Sequence, residues 1–285
     1  MAPALVLIAA VLLYPSLRTL ILSFHEVPSL TAPASEWHFV GFENYAALFS
    51  IRLYRISLLN IAVIWALSGI LTIGLALLLA SALTSGIRFS QLFTTIIYLP
   101  EVISTLALGY IWLLFVYNPR FGLLQWIGKQ LPFTGLAAIR WTAPDTIFFS
   151  MMIAGTFAAL GYFTLMYISA LKKVPASLYE AAKIEGANSL QRFVTITLPL
   201  IRGETTSIML IFSMASINYF AFPLVFGGAN TMTPMLFTYN AIFGADLDTT
   251  GNVGVGAAST VVLLMVAVVL FILNKWLARN AKHYF

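Results

Sequence analysis

Long apolar runs alternate along this chain with shorter stretches that carry nearly all of its charges. A helix needs about 20 mainly apolar residues to cross a bilayer. Six runs meet that length, roughly 3–24, 57–82, 92–116, 145–170, 206–226 and 253–276. Each is apolar on every face rather than at alternate positions, which predicts helices and not the strands of a membrane barrel. Gly69, Gly74, Gly109, Gly155 and Gly161 lie inside the runs, where small residues let helices approach closely. The expected fold is all-α, a polytopic membrane protein with six transmembrane helices forming a single transmembrane domain over 1–285. The opening run lacks the basic start and small-residue cleavage site of a signal peptide. It is read as a retained span, in a chain expected to begin inside a longer protein because no basic tail precedes it.

Composition agrees with this pattern. The chain is 60% hydrophobic and 9% charged, against about 25% charged in soluble domains. The net charge of +5 therefore bears on topology and does not point to nucleic acid. With six spans and both termini inside, nine Lys and Arg lie on the inner side, from Arg88 and Lys172 to Arg279 and Lys282. Five lie outside (Arg52, Arg55, Arg120, Lys129 and Arg140), together with acidic residues that include Asp246 and Asp248. That excess predicts cytoplasmic termini. Arg18, late in the first run, is expected to reach outward to the interface. With no cysteine, thiolate metal sites and cysteine nucleophiles are excluded. His25, His38 and His283 are too scattered in sequence to form a ligand pattern. In the outer segment 117–133, turn formers beside an apolar stretch suggest a short helix at the membrane surface.

One inner segment, 172–205, is unusually long and polar. Pro175 interrupts the preceding helix. Ser177 and Glu180 have the spacing of a capping box, so a new helix is expected to start at Ser177. Gly186 is placed to end it in the left-handed conformation. Asn188, with Gln191 three residues on, marks a second start, and Pro199 the next boundary. By its residues alone, this helix–elbow–helix is either an interfacial amphipathic helix or an element that docks into a partner's groove.

The run Glu180-Ala181-Ala182, three residues, Gly186, nine residues, then Ile196-Thr197-Leu198-Pro199 resembles the EAA signature of ABC importer permeases. PASLYEAAKIEGANSLQRFVTITLPLI resembles the carbohydrate-uptake branch, and FVGFENYAALF and IIYLPEVISTLALGYIWLLF extend the likeness to the first permease of maltose- and glycerol-phosphate-type systems. Glu185 stands where Asp is commoner, and Ala229 where Pro is usual. The resemblance implies a loop that couples to a cytoplasmic ATPase through Glu180, Ala181, Ala182 and Gly186. It further implies a second homologous permease, an ATP-binding subunit dimer, an extracytoplasmic solute-binding protein, and location in a bacterial or archaeal cytoplasmic membrane. The chain itself is expected to bind no cofactor, with ATP and Mg held by the ATPase subunits.

Intrinsic catalysis is not expected. Gly122, five residues, then Gly128-Lys129-Gln130 fails the phosphate-loop pattern, which requires four residues and then Lys-Ser/Thr. No Ser/His/Asp set or pair of carboxylates at one depth accompanies it. Candidates for the substrate pathway are polar groups inside the runs, which are costly against lipid: Asn218, Tyr219, Tyr162 and Glu101. Asn can pair with sugar hydroxyls and a Tyr ring can lie against a sugar face. The Asn218, Tyr219 and Tyr162 regions are those in which the resemblance places sugar contacts. No cation sits at mid-depth, which favours a neutral sugar or oligosaccharide over glycerol phosphate; a permease for glycerol phosphate or another polyol is the alternative. An ion-coupled secondary carrier, using Glu101 as a proton site, is the rival class, but it leaves the EAA loop without a purpose.

Overall fold

A computed structural model describes residues 2–130, 135–244 and 252–281. Asp246, Asp248, Lys282 and His283 therefore lie outside the described residues, as does the end of the 117–133 stretch. Among the described residues, four helices are long and apolar enough to cross a membrane: Arg52–Thr84, Ile147–Leu171, Arg202–Phe226 and Val253–Trp276. A shorter apolar helix spans Val6–Leu22.

The run at 92–116 is not one straight helix. It forms Ser90–Val102 and Thr105–Val116, bent by 101°. Pro100 lies inside the first of these and removes one amide donor from its last turn. Ile103 then turns extended (φ −81°, ψ 138°), and Ser104 caps the second helix from a non-helical conformation. Hydrophobicity is continuous across the break, so the apolar pattern alone did not reveal it.

Two compact units are distinguished. The first comprises 1–62 and 217–269. Its core joins Leu48, Tyr54, Met232, Phe237, Val255 and Ala258. Among the described residues it departs from a purely helical fold in one place: His25–Glu26 pairs antiparallel with His38–Phe39, with His25 opposite Phe39. Two residues a side are too few to show an alternating pattern. The pair is held from beneath by Asn44, whose Nδ2 donates to the carbonyls of Ser23 (3.0 Å) and His25 (2.9 Å). Asn60 does similar work for the loop 227–233, donating to the carbonyls of Asn230 (3.0 Å) and Met232 (2.8 Å).

The second unit comprises 63–216 and 270–285. Its core is built where Ala76 and Ala80, one helical turn apart and fully buried, admit Phe163, Tyr167 and Ala170. Small residues at that spacing bring two helices into close contact. Ile201, Ile208 and Phe212 complete the same cluster. A π-type turn at Ile64–Ser68 precedes Gly69, against which the Phe212 ring rests. In the same place Trp65 donates through Nε1 to Ser213 Oγ at 2.9 Å. In the 117–133 stretch, Leu123–Gln130 is helical. The buried Tyr117 stacks on Trp141 and donates its hydroxyl hydrogen to the Ser150 carbonyl at 2.8 Å.

Candidate functional site

The polar loop at 172–205 lies wholly in the second unit. Its first helix is Ala176–Ile184, capped by Pro175 in the extended conformation with no side-chain hydrogen bond. The helix thus starts one residue before Ser177, and the Ser177–Glu180 capping box does not form. Pro175, with its fixed φ and missing amide hydrogen, is well suited to precede a helix, and this places Ser177 inside the first turn.

The elbow follows the expected chemistry. Gly186 takes φ +84°, and its N–H donates to the Lys183 carbonyl at 3.1 Å while that of Ala187 donates to Ala182 at 2.9 Å. These two bonds make a Schellman closure, which satisfies the last carbonyls of the helix. Asn188 then opens Ser189–Arg192 with a reciprocal capping box: Gln191 N–H donates to Asn188 Oδ1 (2.9 Å) and Asn188 N–H to Gln191 Oε1 (2.8 Å). The chain stays helical through Phe193–Thr197 and Leu198–Leu200, and the long helix starts at Arg202.

Glu180 and Ala181 are exposed and face outward, while Ala182 is half-buried. Ile184, at 87% exposure, and Leu190, at 71%, add uncovered apolar groups to the same loop. A charged, small-residue surface edged by bare aliphatic side chains can fit a groove in another protein. Sequence reasoning missed the contact that closes the loop across its base. The hydroxyls of Tyr179 and Thr197 share a hydrogen bond of 2.9 Å. Eighteen residues separate the two, and no local signal pairs them.

Of the pathway candidates, Glu101 and Tyr162 belong to the second unit, and Asn218 and Tyr219 to the first. Glu101 is exposed at the end of Ser90–Val102, directly after Pro100. Tyr162 is 37% exposed, its ring edge-on to Phe163. Asn218 is exposed in the break between Arg202–Ile217 and Ala221–Phe226. Tyr219, half-buried, stacks nearly parallel on Phe222 at 5.9 Å, and its carbonyl accepts from Thr233 Oγ1 at 2.7 Å. Two grooves, of about 350 and 550 Å3, are lined by other residues, centred on Gly69 and on Arg18. Among the described residues, no group of three or more His, Asp or Glu could hold a metal ion.

Residues 50–283 match the family model for the binding-protein-dependent transport system inner membrane component. The chain belongs to this family. As a member it is a permease subunit of an ABC importer, an inner-membrane component. The lactose transport system permease protein LacF of Rhizobium radiobacter is 31% identical over 291 residues, covering 99% of this permease and 93% of that one. The sn-glycerol-3-phosphate transport system permease protein UgpA of Agrobacterium fabrum is 28% identical over 252 residues, 87% of this permease and 83% of that one. The fold is that of a chain in the crystal structure of a bacterial alginate ABC transporter in complex with alginate pentasaccharide-bound periplasmic protein. The TM-score is 0.82 at 18% identity, covering 99% of this permease and 94% of that chain.

Proposed function

We propose that this permease subunit carries a neutral sugar or oligosaccharide into the cytoplasm, as one transmembrane domain with six membrane passages and both termini inside. The likeness to a lactose permease over almost the entire chain carries the sugar reading. Ser90–Val102 and Thr105–Val116 together supply one passage, and Val6–Leu22 another. In the complete importer it would stand beside a second permease, above an ATPase dimer that holds ATP and Mg, and beneath a solute-binding protein.

The polar loop is the coupling element in this reading. Glu180, Ala181, Ala182 and Gly186 present the surface that the ATPase grips, and ATP-driven closure of the ATPases would draw the loops together and turn the cavity outward. Asn218, Tyr219, Tyr162 and Glu101 line the passage. The likeness to a glycerol-phosphate permease supports a second reading of the substrate. The apolar runs offer no Arg or Lys at mid-depth, and a phosphate would want one, so the neutral sugar is preferred. Family membership decides against an ion-coupled carrier.

The test is reconstitution of the complete importer in liposomes. Uptake of labelled lactose, maltose and glycerol phosphate is followed with and without ATP. ATP-dependent accumulation of a neutral sugar is expected. Accumulation of glycerol phosphate alone would move the substrate to the second reading, and sugar uptake of equal rate without ATP would overturn the coupling.

A further inference from the structure

The helix Ala176–Ile184 has only nine residues, fewer than the 12–15 or so at which an isolated helix becomes even marginally stable in water. It therefore depends on what it packs against, and it packs through very little. Within it Tyr179 and Ala182 are the residues most covered, with Leu178 at 41% exposure. Tyr179 and Ala182 stand three residues apart, on one face of the helix. Ala182 supplies a single methyl group, whereas Tyr179 carries a side-chain hydrogen bond from this helix to the rest of the unit.

That connection ends on Thr197. The two hydroxyls lie 2.9 Å apart, and Thr197 is only 4% exposed. Thr197 in turn accepts from the amide of Ile201 at 3.1 Å. Ile201 is 1% exposed and sits in the core cluster with Tyr167, Ile208 and Phe212. Its carbonyl accepts from the Thr205 amide at 2.9 Å, inside the first turns of the Arg202 helix. A continuous path of bonded groups thus runs from the exposed helix into the foot of a membrane-length one. The other link across the base, Lys173 Nζ to Glu204 Oε1 at 3.3 Å, is solvent-exposed on the lysine side. Exposed ion pairs contribute little, so it is a poor substitute for the part-buried hydroxyl pair.

We infer that Tyr179 is a positioning residue for coupling: through its hydrogen bond to Thr197 it makes the exposed helix and the foot of the Arg202 helix move as one body. This rests on the reading of the loop as the element the ATPase grips. Glu180 and Ala181 would receive the push, and Tyr179, one position before them, would pass it inward. Without the bond, the short helix could tilt on its Gly186 elbow and absorb the movement.

The experiment compares Tyr179→Phe, Thr197→Val, Thr197→Ser and the Tyr179→Phe/Thr197→Val double variant in the assembled importer. Hydrogen exchange of the amides in 178–187 is one readout. ATP hydrolysed per molecule of lactose or maltose accumulated, whichever the wild type takes up, is the other. Loss of one neutral hydrogen bond corresponds to about a two- to ten-fold change in an equilibrium. Tyr179→Phe and Thr197→Val should each speed exchange and raise the ATP cost per sugar by that factor. Thr197→Ser, which keeps the hydroxyl, should stay near wild type, and the double variant should be no worse than either single one. Wild-type exchange and wild-type ATP cost in Tyr179→Phe, or additive losses in the double variant, overturns the inference. Glu180→Arg, measured in parallel, separates the two layers. If it transports normally, the coupling reading itself falls; if it uncouples while Tyr179→Phe does not, only the role of Tyr179 falls.

Discussion

Gly161 touches the backbone of Ile97 and Tyr98: a methyl group on its Cα would stand 2.8 Å from Tyr98 Cα and closer still to the Ile97 carbonyl oxygen. Two helices, Ser90–Val102 and Ile147–Leu171, cross there with no side chain between them. The Ile97 carbonyl is also where a regular helix would receive the amide of Glu101, four residues on. The crossing therefore fixes the backbone on which Glu101 sits, and Tyr162 is the next residue after Gly161. Gly161→Ala should cost about 1–3 kcal/mol, the usual penalty for overpacking. Gly74→Ala is the matched control, because a methyl there meets nothing within 4 Å. Thermal unfolding in detergent should show a lowered midpoint for the first and little change for the second.

The elbow offers a second prediction. At φ +84° Gly186 occupies a region in which a residue with a Cβ is disfavoured by about 1–2 kcal/mol. Gly186→Ala should loosen the loop modestly, and Gly186→Pro, whose ring requires φ near −65°, should break it. In the importer, Gly186→Pro should leave membrane insertion intact and separate ATP hydrolysis from uptake. Wild-type uptake by that variant would show that the elbow is dispensable.

Orientation is open to single-cysteine labelling, since the chain has no cysteine of its own. Ser189 is exposed, and Ser189→Cys should react with an impermeant maleimide only from the cytoplasmic side. Thr231, in the 227–233 loop, is fully buried, with its Oγ1 donating to the Gly227 carbonyl at 2.5 Å. It would report poorly. Ala229, two residues earlier and exposed, is the better site, and Ala229→Cys should react from outside. The reverse pattern would invert the topology.

Asn218 is placed where either of two roles would leave a distinct mark. If its amide meets sugar hydroxyls, Asn218→Ala should weaken apparent affinity by a few-fold to about a hundred-fold, the range for one lost hydrogen bond with or without an unpaired buried partner. Complex yield and basal ATP hydrolysis should stay near normal. Unchanged affinity with reduced yield would assign Asn218 to helix packing instead.

Asn60 makes a purely structural prediction. Its amide holds two carbonyls of the 230–232 segment, and Asn60→Leu leaves both without that donor. A loss of about 1–3 kcal/mol is expected, with faster hydrogen exchange confined to the 227–233 loop. Protection equal to wild type would mean that water replaces the amide at no cost.

The apolar runs made most of the helices legible, because burial in lipid requires continuous hydrophobicity that a sequence displays directly. Gly186 and Asn188 were legible for a different reason: each carries a local rule about φ or capping that needs no distant partner. The start at Ala176 was not, since Ser177-x-x-Glu180 satisfies a capping pattern that Pro175 pre-empts by two residues. Tyr179 with Thr197, Gly161 with Ile97, and Asn60 with Met232 were invisible for a common reason. Each joins positions that only the folded chain brings together, and residue type alone does not name the partner. The pathway candidates were chosen by polarity within apolar runs, a criterion that says which residues are costly but not what they face.

The 101° turn after Val102 carries a requirement if Ser90–Val102 and Thr105–Val116 together make one membrane passage. The opening amides of a helix have no acceptor within it, and Ile103 and Ser104 are exposed. Hydrocarbon accepts no hydrogen bonds, and irregular backbone at membrane depth persists only against protein or water. Acyl chains alone therefore cannot solvate this corner. In that reading either another member of the assembly or the water of the passage itself must reach it, and the corner marks a side of the subunit that is turned away from lipid.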